Sequence, residues 1–123
     1  MKKSKFRNHP GFYYDPCFRQ NFYFFIGWSE DKFNNYMEKN FQSKLENISA
    51  VDGATGMIED DEKDVILIWT RFKPKSPKEI GILAHECLHA VGMTFEKVGV
   101  RYYQDNDEPF TYLLGRLVEE AMS

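Results

Sequence analysis

Four consecutive residues, Ser76-Pro77-Lys78-Glu79, set the start of a helix and with it the phase of everything that follows. A serine at the N-cap accepts from a free backbone N–H, a proline at the first helical position has no N–H to lose, and a glutamate three residues after the serine can reach back to the cap. The helix therefore begins at Pro77. Counted from there, Ile80, Ala84, Cys87, Val91, Phe95 and Val98 recur along one apolar stripe, whereas Ile82, His85, His89 and Gly92 or Met93 fall on another side. Residues four apart share a face, so two imidazoles turn together away from the apolar stripe, with Glu86 beside them. Gly99 is expected to end the helix, with Gly92 as an earlier possible stop.

Upstream, strand and helix signals alternate. Residues 1–20 read as an irregular N-terminal segment, broken by His9-Pro10-Gly11 and Asp15-Pro16. Asn21 to Trp28 is rich in β-favouring residues and reads as a strand. Ser29 then looks like an N-cap, and Phe33, Tyr36, Met37 and Phe41 follow at helical spacing. Ile48 to Ile58, with Asp52-Gly53 and a second close glycine, reads as a weak strand or a loop ending in one. The acidic run from Glu59 to Asp64 lacks the spacing and glycine of a calcium loop and reads as a solvated turn. It leads into Val65 to Thr70, the clearest strand, whose apolar residues do not alternate strictly, so both faces are expected to be covered. A last helix is expected from Asp107 or Glu108, with Pro109 in its first turn, through Tyr112, Leu113, Leu114, Leu117 and Val118.

At 123 residues, the chain suits one domain over 1–123. Eleven Phe, seven Tyr and two Trp supply enough apolar volume for a compact core and argue against disorder throughout. A net charge of −3 with scattered Lys and Arg asks for no nucleic acid, and Lys2, Lys3, Lys5 and Arg7 read as a solvated terminus. The longest apolar stretch, Val65 to Trp69, is far too short to span a bilayer, and the polar, broken Phe6 to Pro10 does not suit a signal peptide. A cytoplasmic location without membrane attachment is the expectation. Cys17 and Cys87 are the only cysteines, and Cys87 lies inside the helix on its apolar stripe, so reduced thiols are expected, with Cys87 buried and inert. His9, beside Pro10-Gly11, reads as a surface residue.

The five residues His85-Glu86-Cys87-Leu88-His89 form an HExxH pattern. Two imidazole nitrogens a helical turn apart can hold one divalent cation, and a carboxylate beside them can carry a proton. Zinc in a hydrolase takes three protein ligands and keeps a fourth position for water, so two histidines are not enough.

His85, Glu86 and His89 resemble the active-site helix of the zincin metallopeptidases, whose subgroups differ in the third ligand. The metzincin subgroup continues HExxHxxGxxH. This chain has Gly92 at the glycine and Phe95 where that histidine belongs, so it departs from that subgroup. The gluzincin subgroup takes a glutamate from a second, downstream helix. Asn106-Asp107-Glu108-Pro109-Phe110-Thr111-Tyr112 loosely resembles its Asn-Glu-x-x-Ser-Asp segment, which makes Glu108 the implied third ligand, with Asp107, Asp105, Glu119 and His9 as rivals. Tyr112 stands where that subgroup has an aspartate to orient a ligand histidine, so such support must come from elsewhere. The short form with a glutamate on its last helix also resembles small zincin-like peptidases encoded in phage and prophage genomes.

The resemblance implies an α+β, zincin-like fold: a small mixed or antiparallel sheet, a backing helix, the HExxH helix and a C-terminal helix. It implies one Zn2+ held by His85, His89 and Glu108, Glu86 as general base, and a peptide or protein as substrate. Tyr112, or Tyr102 or Tyr103 on the preceding connection, is a candidate donor to the oxyanion, with packing as the alternative for each. Zincins pair an extended substrate with an edge strand beside the metal helix. Val65 to Thr70, directly upstream of that helix, is the candidate, with a buried strand without substrate duty as the alternative. The main rival is a zincin-shaped binding or effector protein that keeps the metal without cleaving, followed by a non-peptide metal hydrolase and by a domain in which both histidines merely pack.

Overall fold

The computed structural model describes residues 9–45, 48–59, 64–101 and 107–123. Its elements run β1 (Gly11–Asp15), β2 (Gln20–Ile26), α1 (Glu30–Phe41), a 3-10 turn at Ile48–Ala50, β3 (Gly53–Glu59), β4 (Asp64–Thr70), α2 (Pro77–Lys97) and α3 (Asp107–Ala121). Among the described residues the fold is mixed α+β, one four-stranded sheet in the order β1-β2-β4-β3 with three helices.

The helix starts follow from the caps. Ser29 accepts from the Lys32 N–H at 3.2 Å, and Ser76 and Glu79 form the reciprocal capping box, with Pro77 leading α2. Two backbone N–H groups, of Lys75 and Ser76, point at the Glu79 carboxylate and hold its pKa below the usual range. At the other end Val98 caps α2, and Gly99 takes a left-handed φ of 73° that costs a glycine little.

The segment expected to be irregular contains a strand. Gly11–Asp15 pairs antiparallel with β2, from Gly11 opposite Phe24 to Asp15 opposite Gln20, around a turn in which Asp15 Oδ1 accepts the Cys17 N–H at 2.9 Å. Pro10 and Pro16 bracket five residues, Gly11 among them, so closely that the turn signals hide the strand around Phe12-Tyr13-Tyr14. Ile48 to Ile58 resolves into the 3-10 turn and β3.

Two layers cover the sheet. β4 is the hub, parallel to β2 on one side and antiparallel to β3 on the other. Its Ile66 and Ile68 pack with Phe22 and Phe24 against Leu83, Cys87, Ala90, Val91 and Phe95 of α2 and Leu113 and Leu117 of α3. Its Val65, Leu67 and Trp69 pack with Phe25 and Trp28 against Phe33 and Met37 of α1. Every residue from Val65 to Thr70 is buried, which explains the missing alternation. The same placement corrects the expected substrate strand: both hydrogen-bonding edges of β4 are already taken, and among the described residues the sheet ends instead at β1 and β3.

α2 is turned slightly from the anticipated stripe. Leu83, Glu86, Cys87, Ala90, Val91, Thr94 and Phe95 are buried, whereas Ile80 and Val98 at the two ends are exposed. α3 shows Leu113, Leu117 and Ala121 to the core, and Arg116 lies 5.1 Å from the Tyr13 ring of β1. Among the described residues, no helix is long and apolar enough to cross a membrane.

Candidate functional site

The site is built on the middle of α2 where it passes over β3. His85 and His89 are exposed, and their Nε2 atoms stand 3.1 Å apart with the rings nearly perpendicular. Two imidazole nitrogens facing one another this closely repel unless a proton or a cation lies between their lone pairs. Two nitrogens each about 2.0–2.1 Å from one tetrahedral zinc would be about 3.3 Å apart, so the observed spacing fits a shared metal as well as a shared proton. Leu88, between them in sequence, is 56 % exposed beside the pair.

Glu86, beside the pair on the helix, is turned inward. It is 7 % exposed, tucked between α2 and the sheet edge, and its Oε1 lies 2.7 Å from the Thr55 hydroxyl of β3. The same hydroxyl is 2.9 Å from the Glu86 backbone oxygen. One residue before Ala54, Gly53 faces the Glu86 side chain, where a Cβ would stand 3.0 Å from Glu86 Cγ and 3.1 Å from Ile82 Cγ2. A carboxylate taken out of water this far needs a donor, and Thr55 supplies it.

The carboxylate expected to complete a metal site is not brought to the histidines. Glu108 is exposed in the first turn of α3, and among the described residues no group of three His, Cys, Asp or Glu is arranged to hold a metal. The reason lies in how α3 docks. Phe110 packs on Phe95 with ring centroids 3.7 Å apart, tying the first turn of α3 to a point six residues, or about 9 Å of helix rise, beyond His89. The phenylalanine that stands in place of the metzincin histidine is thus a core residue, also 4.9 Å from the Phe18 ring. Of the rivals, Asp107, Glu119 and the exposed His9 join no such group either, and Glu119 instead pairs with Arg116 at 2.8 Å. Asp105 lies outside the described residues.

Tyr112 is 62 % exposed on α3, and Tyr102 and Tyr103 lie outside the described residues. Neither cysteine is in a disulfide. Cys17 is exposed, whereas Cys87 is buried on the face of α2 away from the histidines, and burial pushes its thiol up to about 12. It is a packing residue, as its place on the stripe implied. Two residues the sequence did not single out, Gly53 and Thr55, complete the surroundings of Glu86. Their only local signal is a weak strand containing two close glycines, which does not say which helix the strand will meet.

Comparison with models of known protein families, with characterised proteins and with solved structures gives no match.

Proposed function

We propose that this chain is a zinc-dependent peptidase in which His85 and His89 supply two nitrogen ligands and Glu86 is the general base. The convergence of the two Nε2 atoms to 3.1 Å on an exposed helix face is the observation that carries it. Zinc bound there would polarise a scissile carbonyl and lower the pKa of water. The chain's own residues do the rest. Glu86 takes a proton from the attacking water and hands it to the leaving amine.

An extended substrate has a place to lie. Among the described residues β3 pairs with β4 along one edge only and the sheet ends at its other edge, so a peptide could add there as a further strand through main-chain hydrogen bonds. Such pairing tolerates varied side chains. The zincin-like character of the fold belongs to the same proposal, supported by a helix with paired histidines that lies across an antiparallel edge strand.

Metal content and cleavage test it together. Purified chain is expected to hold one zinc, to lose it in His85→Ala and His89→Ala, and to unfold at higher temperature when zinc is added. Cleavage of a broad peptide library should fall by about 10²–10⁴-fold in Glu86→Gln with zinc retained. A chain that binds no zinc overturns the proposal. Zinc binding without cleavage, and with Glu86→Gln indistinguishable from the parent, would make it a metal-stabilised binding protein instead.

A further inference from the structure

Glu86 is the one charged side chain of α2 that is buried, and β3 is shaped around it at two positions. Thr55 offers a single hydroxyl proton to two acceptors of the same residue, Oε1 at 2.7 Å and the backbone oxygen at 2.9 Å. A carboxylate oxygen is the stronger acceptor and the nearer of the two, so the hydroxyl proton goes to Oε1. Gly53, two residues earlier on the same face of the strand, leaves open the space beside the other oxygen, where a Cβ would stand 3.3 Å from Oε2.

β3 is held by its ladder with β4, from Gly53 opposite Thr70 to Glu59 opposite Asp64, and that ladder is made of main-chain bonds. What the hydroxyl and the missing side chain do accomplish is to make the two carboxylate oxygens unequal.

Building on the peptidase proposal, we infer that Thr55 is a positioning residue that pins Glu86 Oε1, leaving Oε2, in the space that Gly53 keeps clear, as the oxygen that moves the proton. Oε2 removes one proton from water as the water oxygen bonds to the carbonyl carbon. When the carbon–nitrogen bond breaks, the same proton passes to the amine nitrogen and Glu86 returns to the carboxylate. A carboxylate anchored at one oxygen presents the other in a narrow range of orientations, which is worth rate and not binding.

The test compares Thr55→Val, which keeps shape and loses the hydroxyl, with Thr55→Ser, which keeps the hydroxyl. In peptide cleavage by the zinc-loaded chain, Thr55→Val should lower kcat by about 10- to 100-fold, with KM and zinc affinity within about twofold of the parent. Thr55→Ser should restore kcat to within about threefold. Gly53→Ala, read alongside, should lower kcat with zinc affinity kept, because its Cβ displaces the Glu86 side chain. Thermal unfolding of each variant shows that the comparison is made on folded protein. Equal kcat in Thr55→Val and the parent overturns the inference and leaves the peptidase proposal standing. Equal losses in Thr55→Val and Thr55→Ser, or a loss that follows zinc affinity, overturn it too, by showing a merely structural role. A parent chain that neither binds zinc nor cleaves the library fails one step earlier, and takes the inference with it.

Discussion

The two faces of the sheet are filled with different chemistry. On the α1 face rings meet rings: Phe25 lies 4.9 Å from Phe33 and 5.0 Å from Trp28, and Phe33 stacks on Trp69 at 5.5 Å. The Trp69 indole N–H is satisfied by the Trp28 carbonyl at 2.9 Å, so this layer buries its polar atom without opening a gap. On the α2 and α3 face the core is built mainly from smaller aliphatic side chains, with Leu83, Ala90, Val91, Leu113 and Leu117 around Ile66 and Ile68, and it also admits Glu86 and Thr94. Interlocked rings leave no room for a carboxylate. Where α2 crosses a strand carrying glycine and threonine, a buried charge can be both housed and hydrogen-bonded. The interlocked rings and the buried carboxylate thus lie on opposite sides of one sheet.

Breaking the aromatic side should have the largest effect on folding. Phe33 is fully buried between Phe25 and Trp69, and Phe33→Ala should cost about 3–5 kcal/mol in denaturant unfolding through lost burial and a residual cavity. Glu86→Gln on the other face keeps the shape and a partner for Thr55, so its unfolding free energy should stay within about 1 kcal/mol of the parent while turnover collapses. Should the two substitutions destabilise the chain equally, the division between the faces does not hold.

A smaller effect is expected where α2 begins. Ser76→Ala removes one half of the capping box and should cost about 1 kcal/mol, measured by the same unfolding curves. The Glu79 carboxyl, held low mainly by the Lys75 and Ser76 N–H groups, contributes stability that is present above its unfolded pKa and lost as pH falls through its lower folded value. Ser76→Ala, which loosens the box, should flatten that acid limb. An unchanged acid limb would mean that the cap is held by the backbone alone.

The smallest effect at neutral pH concerns Cys87. Its thiol is neutral in the folded chain up to about 12, whereas the unfolded thiol ionises near 9. Stability from this group is therefore complete below the unfolded value and declines as pH rises toward the folded one. Alkylation of the folded chain at mildly alkaline pH should label exposed Cys17 and spare Cys87. Rapid labelling of both would show that the α2 core opens readily, against the packing described for it.

Much of the local structure was legible in the residues themselves, because its causes lie within a few positions. Ser29 and Ser76 cap helices through groups three residues away, and the four-residue spacing of His85 and His89 places both on one face regardless of what α2 packs against. The buried, non-alternating Val65–Thr70 also announced a strand covered on both sides. The five-residue β1 escaped notice because proline and glycine crowd both its ends, and only pairing with β2 makes it a strand.

What the chain could not disclose locally is which distant segments meet. The insertion of β4 between β2 and β3 pairs Val65 with Asn21, and it moves the open edge of the sheet to a strand that looked weak on its own. The docking of Phe110 on Phe95 decides where the head of α3, and Glu108 with it, stands relative to the histidines. The meeting of Glu86 with Thr55 joins residues 31 apart. Helix phase and caps are short-range steric and hydrogen-bonding matters, so the sequence determined them alone. Strand order and the surroundings of a buried carboxylate depend on packing between remote residues, which only the tertiary structure decided.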